Sequence, residues 1–159
     1  MKLKILFGLV VFALCASRAS AQTSSSWTMD CLPNPALVQV IQAAAVRTLI
    51  SEGSCTGTGN INGVAVKSIQ SSSYQEQSAT QYRAWGLIIQ TFANGDQITY
   101  TYQATAAAKN GVELTGIRTY QVTGGSGNFK GITGTGTCNI AYLPTGGSTS
   151  VCNGTFKLP

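Results

Sequence analysis

The chain has 159 residues, including 18 glycines, five cysteines and no histidine, with 9% charged residues and a formal net charge of +5. That length suits one domain. The lack of histidine excludes Ser-His-Asp triads, imidazole acid–base chemistry and His-ligated metals, and five carboxylates in the whole chain leave little for an all-oxygen metal cage, so no cofactor is expected.

Lys2 and Lys4 precede a mostly apolar stretch from Ile5 to Ala16, and Ala19-Ser20-Ala21 supplies the small residues a signal peptidase reads. Residues 1–21 are therefore expected to be an export signal cut after Ala21, leaving residues 22–159 as one domain that is secreted or periplasmic. The signal holds three of the ten basic residues, so the exported part keeps seven against five acidic ones, a net charge of +2. Seven scattered cations form no basic run, which removes the electrostatic footprint of nucleic-acid or anionic-lipid binding. No later apolar run reaches the length of a membrane-spanning helix.

Without Cys15, four cysteines remain: Cys31, Cys55, Cys138 and Cys152. An even count in an exported chain reads as two disulfides, and three connectivities are open. With neither a CxxC spacing nor a histidine, four-thiolate zinc is the weaker alternative. The midpoint of Cys138 and Cys152 falls on Thr145, inside the turn signal LPTGGS. Cross-strand pairing of Cys138 with Cys152 is therefore favoured, leaving Cys31 for Cys55.

Asn34-Pro35 has the form of a helix N-cap followed by proline at the first helical position, and the Ala-rich run after it supports a helix or turn over about 35–44. The β-branched residues Val46, Thr48 and Ile50 favour strand from about 46. From Gly53 onward the pattern is all-β, with turn signals at Asn62-Gly63, Asn94-Gly95-Asp96, Asn110-Gly111 and Gly146-Gly147. QITYTYQAT (97–105) alternates strictly, placing Ile98, Tyr100, Tyr102 and Ala104 on one face. YRAWGLIIQTF (82–92) and VELTGIRTYQV (112–122) complete a meander around it. The expected fold is an antiparallel, roughly eight-stranded barrel, closed or nearly so, preceded by a short helix; a β-sandwich is the alternative.

GGSGNFKGITGTGT (124–137) places glycines around Phe129 and Ile132, the pattern of a bend where backbones pack closely and two apolar side chains plug a barrel end. This stretch, with NGDQITYTYQAT (94–105), resembles the allene-oxide-cyclase-like and dirigent-like β-barrels, nearest to small exported bacterial proteins of that type. The resemblance spans about residues 82–157. It implies a barrel whose interior takes a small hydrophobic ligand. The cyclases isomerise a lipid epoxide and the dirigent proteins steer radical coupling or cyclisation, so a cofactor-free isomerase or cyclase is the alternative to a non-enzymatic binding, interaction or envelope protein. The plant relatives' trimers imply self-association by analogy. No catalytic residue of either plant family aligns with this chain.

Arg118 shares a face of its strand with Val112, Leu114, Tyr120 and Val122, an apolar setting in which a cation needs a partner. With Tyr100, Tyr102 and Tyr120 it forms the candidate ligand site, the guanidinium orienting an acidic or oxygen-rich group and the phenols giving ring contact. Tyr82 and Trp85 add to the aromatic density. The glycine pairs lack the remaining residues of a phosphate loop, the carboxylates read as solvated surface, and Asn153-Gly154-Thr155 has the form of a glycosylation sequon.

Overall fold

Period-two alternation runs through most of the chain, and nine strands result among the described residues: β1 (Gln22–Pro33), β2 (Gln39–Ala43), β3 (Val46–Ile61), β4 (Val64–Gln77), β5 (Gln81–Phe92), β6 (Gln97–Lys109), β7 (Val112–Gly125), β8 (Thr133–Tyr142) and β9 (Ser148–Lys157). The computed structural model describes residues 22–43, 45–110, 112–143 and 147–158, with the backbone alone at Glu113 and Leu114. The expected export signal (1–21), the turn centre at Thr145 and the Leu114 side chain lie outside the described residues.

From β3 to β9 each strand pairs antiparallel with the next, and β1 closes the ring by pairing with β9 on one side and β3 on the other. Eight strands thus form a closed barrel, the architecture the sequence indicated, and the sandwich alternative is set aside. Closure leaves those strands no unpaired edge along the seam. The ninth strand, β2, pairs only with the start of β3, running from Gln39 opposite Ile50 to Ala43 opposite Val46.

The expected helix over 35–44 is corrected to a single 3-10 turn. Asn34 caps it as the sequence implied, its side chain accepting the Ala36 N–H at 3.1 Å, with Pro35 in the first turn. The turn ends at Leu37 and the chain becomes β2. A capping signal acts over one turn only. The stiff, branched Val40 and Ile41 favour extended backbone, and the start of β3 offers ladder partners for all five residues of β2.

The two ends of the barrel differ. At one end, the β3–β4 turn uses Asn62 and Gly63 at φ 52° and 78°, the left-handed pair that a tight hairpin needs. Phe129 and Ile132 are buried there, with the Phe129 ring 4.6 Å from that of Phe92. The two halves of the sequence resemblance meet at this plug. Asp96 accepts the Asn128 N–H at 2.9 Å and the Asn94 amide at 2.8 Å. Gly127, at φ +54°, leaves the space that a Cβ would take from the Asp96 carboxylate. The other end, where β2 projects, is open.

Both disulfides are direct cross-strand pairs: Cys31 with Cys55 across the β1–β3 seam and Cys138 with Cys152 across the β8–β9 hairpin. The β8–β9 ladder, from Thr133 opposite Lys157 to Tyr142 opposite Ser148, is centred where the cysteine spacing put it.

Candidate functional site

Inward-facing residues change character along the barrel axis. Above the plug, Trp27, Tyr100 and Tyr120 form an aromatic layer. Tyr100 and Tyr120 meet edge-on at 5.4 Å, and Trp27 lies 6.2 Å and 6.0 Å from them. The Tyr100 hydroxyl donates to Gln90 Oε1 at 2.5 Å. The Tyr120 ring reaches over Gly136 of β8 and Gly154 of β9, where side chains would overlap its phenol. Its hydroxyl and the Trp27 Nε1 are buried near each other, and neither has a partner in hydrogen-bonding geometry among the described residues.

Toward the open end the wall turns polar. Ser51 of β3, Ser73 and Gln75 of β4, Tyr102 of β6 and Arg118 of β7 line a cavity of about 380 Å³. Gln75 Nε2 donates to Ser51 Oγ at 3.0 Å and Ser73 Oγ at 2.7 Å, and the two hydroxyls are 2.8 Å apart. The Tyr82 and Tyr142 rings, 5.1 Å apart edge-on, stand toward the cavity mouth.

Arg118 is the charged member. Directly opposite Ala104 on β6 and Cys138 on β8, its side chain can only point inward, and it is 8% exposed. Its Cζ lies 4.7 Å from the centre of the Tyr102 ring. Nε and Nη1 are buried with no hydrogen-bond partner among the described residues. A guanidinium keeps its charge in proteins, and burying one with two unmet donors is costly. Such a group suits an incoming pair of acceptor oxygens.

Burial pushes the pKa of all three candidate phenols up, so that each resists ionisation. At Tyr100 the neighbouring Tyr120 adds to the effect, while at Tyr102 the Arg118 charge and a Ser73 hydrogen bond partly oppose it. The folded state therefore favours neutral phenols that the unfolded chain ionises near pH 10. Their contribution is fully present below about pH 10 and lost as pH rises toward the raised folded values, at up to about 1.4 kcal/mol per pH unit for each phenol. Urea midpoints measured from about pH 9 to pH 11 should fall steeply, and Tyr100→Phe should flatten that fall. The same slope in both proteins would reject the assignment.

Of the four candidate ligand residues, Arg118 and Tyr102 line the cavity, while Tyr100 and Tyr120 stand one layer deeper, against Trp27. All four point inward. Trp85 faces outward, 41% exposed, with its ring 4.7 Å from Tyr74. Asp30 and Glu52 are exposed and Asp96 serves the plug; no cluster of three metal-ligating side chains occurs among the described residues. Sequence reasoning missed Ser51, Ser73 and Gln75. These small polar residues point inward where hydropathy places them outside, so alternation carries no signal for them.

No family model matches the chain, and no curated protein matches it. Among solved structures, that of a pterocarpan synthase dirigent protein is similar, with 11% identity and a TM-score of 0.49 over 96% of this chain and 98% of that one.

Proposed function

We propose that this is an exported, non-enzymatic barrel that binds a small ligand in the cavity at its open end, the ligand having an apolar or aromatic body and an anionic or oxygen-rich group. The observation that carries the reading is Arg118, buried at the cavity wall with Nε and Nη1 unpartnered among the described residues. An anionic group seated there would meet the guanidinium fork while its body packs on the Tyr102, Tyr82 and Tyr142 rings. The volume of about 380 Å³ lies within the range of small-molecule sites. Two disulfides suit an oxidising compartment, secreted or periplasmic.

The test is a matched pair of probes, 1-anilinonaphthalene-8-sulfonate and N-phenyl-1-naphthylamine, which differ by the sulfonate. Wild-type protein is expected to bind the sulfonate in preference. Arg118→Leu should remove that preference, a change of about ten- to a hundredfold for a charge-assisted contact, and keep its near-UV circular dichroism because leucine relieves the burial of charge. Equal preference in both proteins would end the reading.

A further inference from the structure

Among the described residues, eleven large hydrophobic side chains are exposed, and eight of them frame the open end of the barrel. Leu32 ends β1, Leu37 lies in the 3-10 turn, Val40 and Ile41 are on β2, and Val112 and Leu143 stand on the far side; the other two begin β3. The remaining three, Trp85, Ile117 and Val151, lie on the side wall. None of the eleven lies at the plugged end, where Lys67, Lys130 and Lys157 are exposed. The exposed apolar side chains are thus concentrated at one pole of the barrel. Single exposed hydrophobics are ordinary, but a concentration at one site marks an interaction surface.

We propose that the open end docks on a lipid surface, with the apolar ring seated at the headgroup boundary and the cavity mouth facing the membrane. Leu32, Val112 and Leu143 line the cavity as well as the ring, so ring and cavity form one continuous surface. The ring is built from separate segments around an opening. A protein partner that buried it would cap the mouth, whereas a fluid lipid surface buries it and leaves a path for an apolar ligand. Exposed Arg47 and Lys109 stand with exposed Glu52 at this end, so both signs of charge are present, and we take apolar burial and not attraction to anionic lipid to drive the contact. β2 pairs on one side only, and its other edge needs water, which limits insertion to the interfacial depth of about 5–10 Å. The choice of a lipid surface over a protein partner, and the route it offers a ligand, rest on the binding reading above, whereas the flotation result does not depend on what the cavity holds.

The test is flotation with neutral phosphatidylcholine vesicles, using protein expressed from the full 159-residue chain. Wild type is expected to float, with little change on adding anionic lipid or salt. Val40→Asn with Ile41→Asn should weaken partitioning about tenfold or more and keep the probe preference, since neither residue lines the cavity. Leu37→Asn with Val46→Asn repeats the test should the first pair disturb folding. Arg118→Leu should float like wild type, so loss of its probe preference would not touch this proposal. The proposal falls if wild type stays unbound, if binding needs anionic lipid and vanishes in salt, or if the ring variants float equally. It also falls if light scattering shows copies associated through the ring, with the ring variants monomeric.

Discussion

Cys152→Ser is expected to lower the unfolding free energy by about 3–5 kcal/mol. The Cys138–Cys152 bond closes a sequence separation of 14, and chain entropy alone gives about 3 kcal/mol for a loop of that size. Cys152 is fully buried, so the serine hydroxyl and the thiol left on Cys138 are both confined within the barrel. A buried hydroxyl without a partner costs about 1–3 kcal/mol more. Urea midpoints would read the loss, and Thr137→Ser, an exposed change on β8, supplies the control. A drop no larger than the control's would mean that the hairpin ladder holds this register without the bond. Peptide mapping without reduction should recover Cys138 with Cys152 and Cys31 with Cys55.

How much of the fold and the site was legible in the sequence depends on the physical reach of each signal. Alternation along 97–105 gave the inward face of β6, because every second residue is apolar and Ile98, Tyr100, Tyr102 and Ala104 are all buried. Arg118 could be placed inside because its strand neighbours on the same face are apolar. The cysteine midpoint gave the β8–β9 register because a hairpin ladder is symmetric about its turn. Asn34-Pro35 misled over 35–44 because a cap reports only its own turn, and tertiary pairing to β3 sets the backbone beyond Leu37. The cavity wall from β3 and β4 was illegible for a different reason. Ser51, Ser73 and Gln75 invert the usual pattern, and only the closed barrel brings them opposite Arg118. The split of the tyrosines into a cavity residue and a deeper layer also depends on where the strands cross the axis, which a single strand's pattern does not hold.

The glycines beneath Tyr120 give the sharpest test of the interior packing. Gly136 and Gly154 are directly opposite one another on β8 and β9, and Tyr120 is opposite Gly136 on β7. The phenol occupies the space their side chains would fill. Gly136→Ala is expected to cost more than about 3 kcal/mol, because its Cβ would overlap both the Tyr120 ring and the Asn153 carbonyl, and the carbonyl belongs to the β8–β9 ladder. At Gly154 the overlap is chiefly with the Tyr120 hydroxyl; the next atoms are Cζ at 3.0 Å and the Thr135 carbonyl at 3.1 Å. Tyr120→Phe removes that hydroxyl, which is buried without a hydrogen-bond partner among the described residues, so alone it should cost little. Combined with Gly154→Ala it should recover at least about 1 kcal/mol of that variant's loss, whereas combined with Gly136→Ala it should recover almost none. Equal recovery at both positions would mean that the ring shifts freely over β8 and β9, and that the aromatic layer does not set the cavity floor.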